Sequence, residues 1–437
     1  MRIKTIAAGL LSMVLLMVTT GCAEIQTQAP VGAAPDQDEA ESVAQAQDIE
    51  TADETPVTIT YYTWVQSSDG AYPLNMIEGF EKKYPWITVD LQIGSNTGGE
   101  YSETQAIKLL AGDGIDVTTI KPSDYKAYID AGYLKEITNA EYLTAYSEAS
   151  LDAVTVDGKI YGIPYAGDVV GVVYNKTMFE ENGWKAPENR EEYYALCSEI
   201  AKTGVTPTVQ GIKDTWTTGQ EGMVFMQGLF AEYPDMYDRI NAGEAKYTDD
   251  FVVDALKEMQ EFFAGDGVSR EASGLTYDQA ASYFATEKAA MMVHGEWIMG
   301  PIMMAEPEFE IGVFSLPTNK EGQEHVGAAE IGQYQSIVSS SEHEAAAELF
   351  LEYLSSEEGA DYFAETMSNM TPVSGVANDR LEMWTGLLDE ASLPFYYDMM
   401  SPGAQSEFLK QMQLLYSGDT TAEEMAEALQ TAEEKKD

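Results

Sequence analysis

The chain has 437 residues, of which 74 are Asp or Glu and 24 are Lys or Arg, a formal charge of −50 at pH 7. Phosphate backbones are gripped by basic faces, so nucleic acid is excluded as a partner. Acid spread this widely keeps a surface solvated, with capture of a cationic ligand as the functional alternative.

Taken in chain order, Arg2 and Lys4 form a basic start, Ile6 to Val18 an apolar segment and Thr19-Thr20-Gly21-Cys22 a small-residue cleavage site. Residues 1–22 therefore read as a secretory leader, too short for a stable membrane span. Residues 23–56 hold nine Asp or Glu and no Lys or Arg, which predicts a disordered acidic tether because so little apolar surface cannot offset chain entropy. The remainder is longer than one core usually serves, and two lobes are expected.

Val57, Ile59 and Tyr61 alternate with Thr58, Thr60 and Tyr62 as a strand. A helical face of Ile77, Phe80 and Tyr84 stops before Pro85, and Ile87, Val89, Leu91 and Ile93 alternate as a second strand. Ala106, Leu109 and Leu110 mark a helix closed by Gly112, and Ile115 to Ile120 a third strand. This β-α-β-α-β order predicts a parallel, doubly wound sheet.

Asp157-Gly158 is a hairpin turn pair, since Gly readily takes the positive φ that a two-residue hairpin turn requires. Val169 to Tyr174 suits a buried strand, Thr177 to Asn182 a short helix, and Gly183 the residue just past its end. Cys197 lies in a helical pattern as a small buried residue, leaving no disulfide if Cys22 is modified. Thr276 to Gln279, Ser341 to Glu344 and Thr421 to Glu424 fit capping boxes.

No H-E-x-x-H, G-x-S-x-G, P-loop, Rossmann glycine triplet or C-x-x-C occurs, and the three His are far apart in sequence. No calcium-loop pattern marks an ion site, so no metal or cofactor is expected. An extracellular glycoside hydrolase is the enzyme alternative, although nothing marks its two carboxylates.

Five stretches occur in an order that carries a family signature: FEKKYPWITVDLQIG at Phe80–Gly94, AIKLLAGDGIDV at Ala106–Val117, DGKIYGIPY followed by YNKTMFEENGW, FATEKAAMMVHGEW at Phe284–Trp297, and IGVFSLP at Ile311–Pro317. They resemble the extracellular solute-binding proteins of ATP-binding-cassette sugar importers, the maltose- and multiple-sugar-binding group. The resemblance implies a two-lobe α/β fold of the periplasmic-binding-protein type, each lobe a mainly parallel doubly wound sheet with the ligand cleft at the hinge. The N-terminal lobe would comprise 57–166 plus 317–375 and the C-terminal lobe 167–316 plus 376–437, with passages near Tyr165–Asp168, Phe314–Thr318 and Thr371–Asn378. It implies a monomer that captures a sugar, without catalysis, for two permease subunits and a cytoplasmic ATPase. Thr19-Thr20-Gly21-Cys22 resembles a bacterial lipobox, apart from Thr19 where Leu or Val is usual, so Cys22 would be lipidated and hold the protein on the outer face of the membrane. The alternatives are a plain secreted chain and, for the ligand, a polyamine, peptide or metal chelate.

A sugar presents flat C–H faces edged with hydroxyls, so its site wants aromatic platforms rimmed by hydrogen-bonding groups. The family pattern puts Trp297, after Gly295-Glu296, in stacking position and Asp168 as a ligand-bonding carboxylate. Trp64 closes the first strand at the end where open α/β sheets bind ligands, and Gln66 lies in the loop beyond. Lys121, Ser123 and Asp124 occupy the loop after the third strand. There maltodextrin binders carry an aromatic residue that this chain lacks, which argues against a long glucan. Trp216, Glu330 and Gln333 complete the cleft candidates, while Asp124, Asp168, Glu296 and Glu330 keep a cationic ligand open. Salt separates the two, because cation capture weakens with ionic strength.

Overall fold

The computed structural model describes residues 54–95, 100–265, 268, 274–376, 381–388 and 392–435. The leader, Cys22 and the tether up to residue 53 lie outside the described residues.

The strands are β1 Val57–Thr63, β2 Ile87–Ile93, β3 Val117–Ile120, β4 Thr155–Val156, β5 Lys159–Ile160, β6 Ile163–Asn175, β7 Thr206–Thr208, β8 Ala289–Gly295, β9 Ile311–Ser315, β10 Gly327–Ile337 and β11 Ser392–Leu393. The main sheet runs β2-β1-β3-β10-β6-β8-β7, with β9 on β6 and β11 on β10. The β2-β1-β3 section is parallel, as the β-α-β-α-β order predicts, and β7 is parallel to β8. The middle of the sheet is antiparallel, because β10 pairs with β3 and β6 in the opposite sense and β6 does the same with β8 and β9.

Two long strands tie together two cores. Ile163, Tyr165 and Ala166 at the start of β6 pack with Ile59, Tyr61, Phe80 and Phe350, while Val170 and Val172 further along pack with Phe225, Met291 and Phe408. Val169 and Val173 point to the opposite face of the sheet, against Phe284 and Trp384, as the two-residue period of a strand requires. Along β10 the change runs the other way, from Ala328 in the second core to Tyr334 and Ile337 in the first. This passage lies downstream of the Phe314–Thr318 stretch, whose Phe314 and Leu316 pack in the second core. Val373 packs in the first core, and Leu381 packs beside Trp384 on the face of the sheet that Val169 and Val173 meet.

Local chemistry accounts for several elements. Asp157 and Gly158 both take positive φ, 52° and 78°, in the turn joining β4 to β5. Helix Lys176–Asn182 starts on an Asn175 side-chain cap and ends on Gly183 at φ 72°. Thr276 and Thr421 form complete capping boxes. Ser341 does not: helix Glu344–Leu354 begins after His343, and the Ser341 hydroxyl is taken by Asp116 Oδ1 at 2.5 Å. A competing acceptor from another part of the sheet outweighs the local cap.

Candidate functional site

The edges of both cores meet around a cavity of about 1060 Å³, at the top of the size range of small-molecule sites. Its first wall is built where β1 and β3 end side by side. Trp64 follows β1, with its ring 4.7 Å from Tyr101 at 71°, and Lys121 follows β3, with Nζ 5.5 Å from the centre of the Trp64 ring. Beyond Trp64 the Gln66–Gly70 loop is braced by Asp69 Oδ1, which accepts from the Ser67 hydroxyl at 2.6 Å and from Ala71 N at 3.0 Å. Ser68 reaches the facing wall, its hydroxyl donating to Asp278 Oδ1 at 2.8 Å.

That facing wall grows from the end of β8. Gly295 lies directly under the Trp297 indole, and a Cβ there would stand 2.1 Å from the ring, so only glycine lets the indole fold back over the strand end. The Tyr277 hydroxyl donates to the Trp297 carbonyl at 3.1 Å. Trp216 packs 5.0 Å from Tyr277, and both stand against His294, at 5.5 and 5.3 Å. Burial drives the His294 pKa down to about 3, so the imidazole is a neutral part of this aromatic wall.

The floor is β6 and β10. Asp168 and Glu330 are direct cross-strand partners, and Asp398, from the 3-10 turn Tyr396–Met399, approaches both. The β10 register shifts on either side of Gln333, next to Gly332. Burial pushes the Asp168 carboxyl up to about 7, with Asp398 adding repulsion. It also raises Asp398 to about 6, against the pull of hydrogen bonding to Glu330 and of the Lys121 charge. Glu330 is pushed well above the carboxylate range by burial and then by Asp398. A second cavity of about 1150 Å³ shares Pro122, Glu330, Asn369 and Asp398 with the first.

Of the expected site residues, Trp64, Gln66, Lys121, Asp168, Trp216, Trp297, Glu330 and Gln333 line the cavity together. Ser123, Asp124 and Glu296 do not. The expected loop after β3 is one residue long, because Pro122 opens helix Pro122–Asp130, and Asp124 turns to accept from the Ser102 hydroxyl at 2.6 Å. Glu296 is buried behind the wall, accepting from Val169 N at 3.0 Å and from Asn369 Nδ2 at 3.3 Å; it holds β6 to the β8 turn. Sequence reasoning missed Gln220, Tyr277, Asn369, Phe395, Tyr397, Asp398 and Gln405, which also line the cavity. The Phe395-Tyr396-Tyr397-Asp398 run was a signal, aromatic faces next to an acid; Asn369 had none.

A cavity walled by indoles, floored by polar groups and set between two cores defines the class of protein, one that binds a solute. The chain belongs to the bacterial extracellular solute-binding protein family, whose model matches residues 63–361. It is 29% identical over 334 residues to the multiple sugar-binding protein of Streptococcus mutans, covering 75% of this chain and 78% of that one. It is 25% identical to the galactooligosaccharide-binding protein of Bacillus subtilis, over 62% of this chain and 63% of the relative. The solved structure of the solute-binding protein RafE in complex with raffinose superposes with a TM-score of 0.72 at 25% identity, covering 86% of this chain and 98% of RafE.

Proposed function

We propose that this protein captures a sugar or oligosaccharide between its two halves and delivers it to the permease of an ATP-binding-cassette importer, without making or breaking a bond. The observation that carries the reading is one cavity lined by Trp64, Trp216 and Trp297 together with Asp168, Gln333 and Asn369. Stacked C–H faces and hydroxyl hydrogen bonds ask for that combination. The ligands for which the relatives are named, multiple sugars, galactooligosaccharide and raffinose, support the same class. The two halves close by bending β6 and β10, the strands both cores share, and the permease reads the closed shape. The protein acts as a monomer, held on the outer face of the membrane by a lipid on Cys22.

Thermal unfolding of the leader-free chain against mono- and oligosaccharides tests this. A ligand at 100 times its Kd stabilises the folded state by about 2.7 kcal/mol. A rise in Tm with one saccharide class, lost in Trp297→Ala and without product formation, is the expected result. No rise with any saccharide would sink the reading. For the anchor, Cys22→Ala should move the protein from the membrane to the soluble fraction.

A further inference from the structure

Resting on the saccharide reading above, we propose that the ligand carries a free ammonium group, as an unacylated hexosamine unit does, seated among the carboxylates of Asp168, Glu330 and Asp398.

The charge inventory of the cavity leads there. Asp69, Asp168, Asp278, Glu330, Glu365 and Asp398 line it, and among the described residues Lys121 is the only basic one that does. Lys121 is already engaged, lying over Trp64 and within the field of Asp124 and Asp398. Like charges directly opposite on paired strands repel, yet Asp168 faces Glu330 across β6 and β10 with Asp398 beside them. Among the described residues no group of three or more acids, imidazoles or thiols is arranged to hold a metal ion, so the missing positive charge is not assigned to one.

The unpaired polar atoms point the same way. Asp168 is 8% exposed and Asn369 2%, and both line the cavity. Among the described residues Asp168 Oδ1 and Asn369 Oδ1 have no hydrogen-bond partner, and neither do Gln220 Oε1 and Gln333 Oε1. All four are acceptors, so the occupant brings donors. Neutral hydroxyls supply donors but bring no charge to match these acids when they are ionised, and an ionised carboxylate left without a counter-charge in a closed cavity is costly. An ammonium supplies three donors and the charge in one group.

The test is calorimetric titration of the leader-free chain with glucosamine oligomers, their N-acetylated counterparts, neutral gluco- and galacto-oligosaccharides, and spermidine, at low and high salt. Glucosamine oligomers should bind at least about tenfold more tightly than the N-acetylated forms, and their affinity should fall as salt rises. Asp168→Asn, which keeps the shape, should erase that preference. Equal or tighter binding of N-acetylated or neutral oligomers overturns the ammonium proposal and leaves the saccharide reading standing. Binding of spermidine alone, or of nothing in the set, overturns both. Should Asp168→Asn fail to fold, the salt series on the unaltered protein decides by itself.

Discussion

Gly332 and Asp168 are fitted to each other across the floor of the cavity: a Cβ on residue 332 would stand 1.9 Å from Asp168 Oδ2. The acid therefore occupies space that any other residue on β10 would take. Gly332→Ala should push the Asp168 carboxylate aside, because a side-chain end yields more readily than a paired strand. Ligand affinity should fall about tenfold while stability changes by about 1 kcal/mol. Calorimetric titration beside a thermal melt separates the two, and an unchanged affinity would show that Asp168 does not touch the ligand.

Asp168, raised to about 7, and Asp398, raised to about 6, bind protons in the folded state that the unfolded chain has already released. Between the ordinary carboxylate range and those values the folded form holds more protons, so their contribution makes the unliganded protein less stable as pH rises from about 4 to about 7. His294, lowered to about 3, has the opposite sign, since the unfolded chain takes up its proton first below the ordinary His range. Comparing melts of the unaltered protein with Asp168→Asn isolates the acid: the drop in Tm toward neutral pH should be shallower in the variant. Parallel curves would contradict the shift.

Trp297 and Trp384 make a contrasting pair. Trp297 is half-buried on the cavity wall and Trp384 fully buried in the core behind β6. Trp297→Ala should cost about 2 kcal/mol of ligand binding and little stability. Trp384→Ala should cost about 3–5 kcal/mol of folding stability through the cavity it leaves. Denaturant unfolding and ligand titration on both variants check the division.

The hydrogen bond from Ser68 to Asp278 joins the loop after β1 to helix Tyr277–Ala285 across the mouth of the cavity. Both residues are exposed, so the bond adds about 0.5–1.5 kcal/mol at most, and only while the mouth is shut. Ser68→Ala should speed ligand release by about threefold to tenfold with Tm unchanged. Stopped-flow dissociation measures it, and an unaltered release rate would remove the latch role.

What the sequence determined by itself is the set of features enclosed in a short window. The Asp157-Gly158 turn, the helix ending at Gly183 and the boxes at Thr276 and Thr421 depend on neighbours a few residues away, and each stands as its residues dictate. The alternation in Val57 to Thr63 and Ile87 to Ile93 marked two strands, and the helix between them predicted the parallel pairing they adopt. The family pattern reached further for Asp168 and Trp297, and the strand-end position did so for Trp64; all three line the one cavity. Only the tertiary structure decided the rest. Ser341 left its own helix for Asp116, and Glu296 turned inward to hold Val169 rather than outward to the cavity. The antiparallel junction of β6 with β10, which sets Asp168 opposite Glu330, depends on register between strands far apart in the chain. Asp398 and Asn369 reach the cavity for the same reason: convergence is a property of packed elements, and no local pattern of charge or hydrophobicity encodes it.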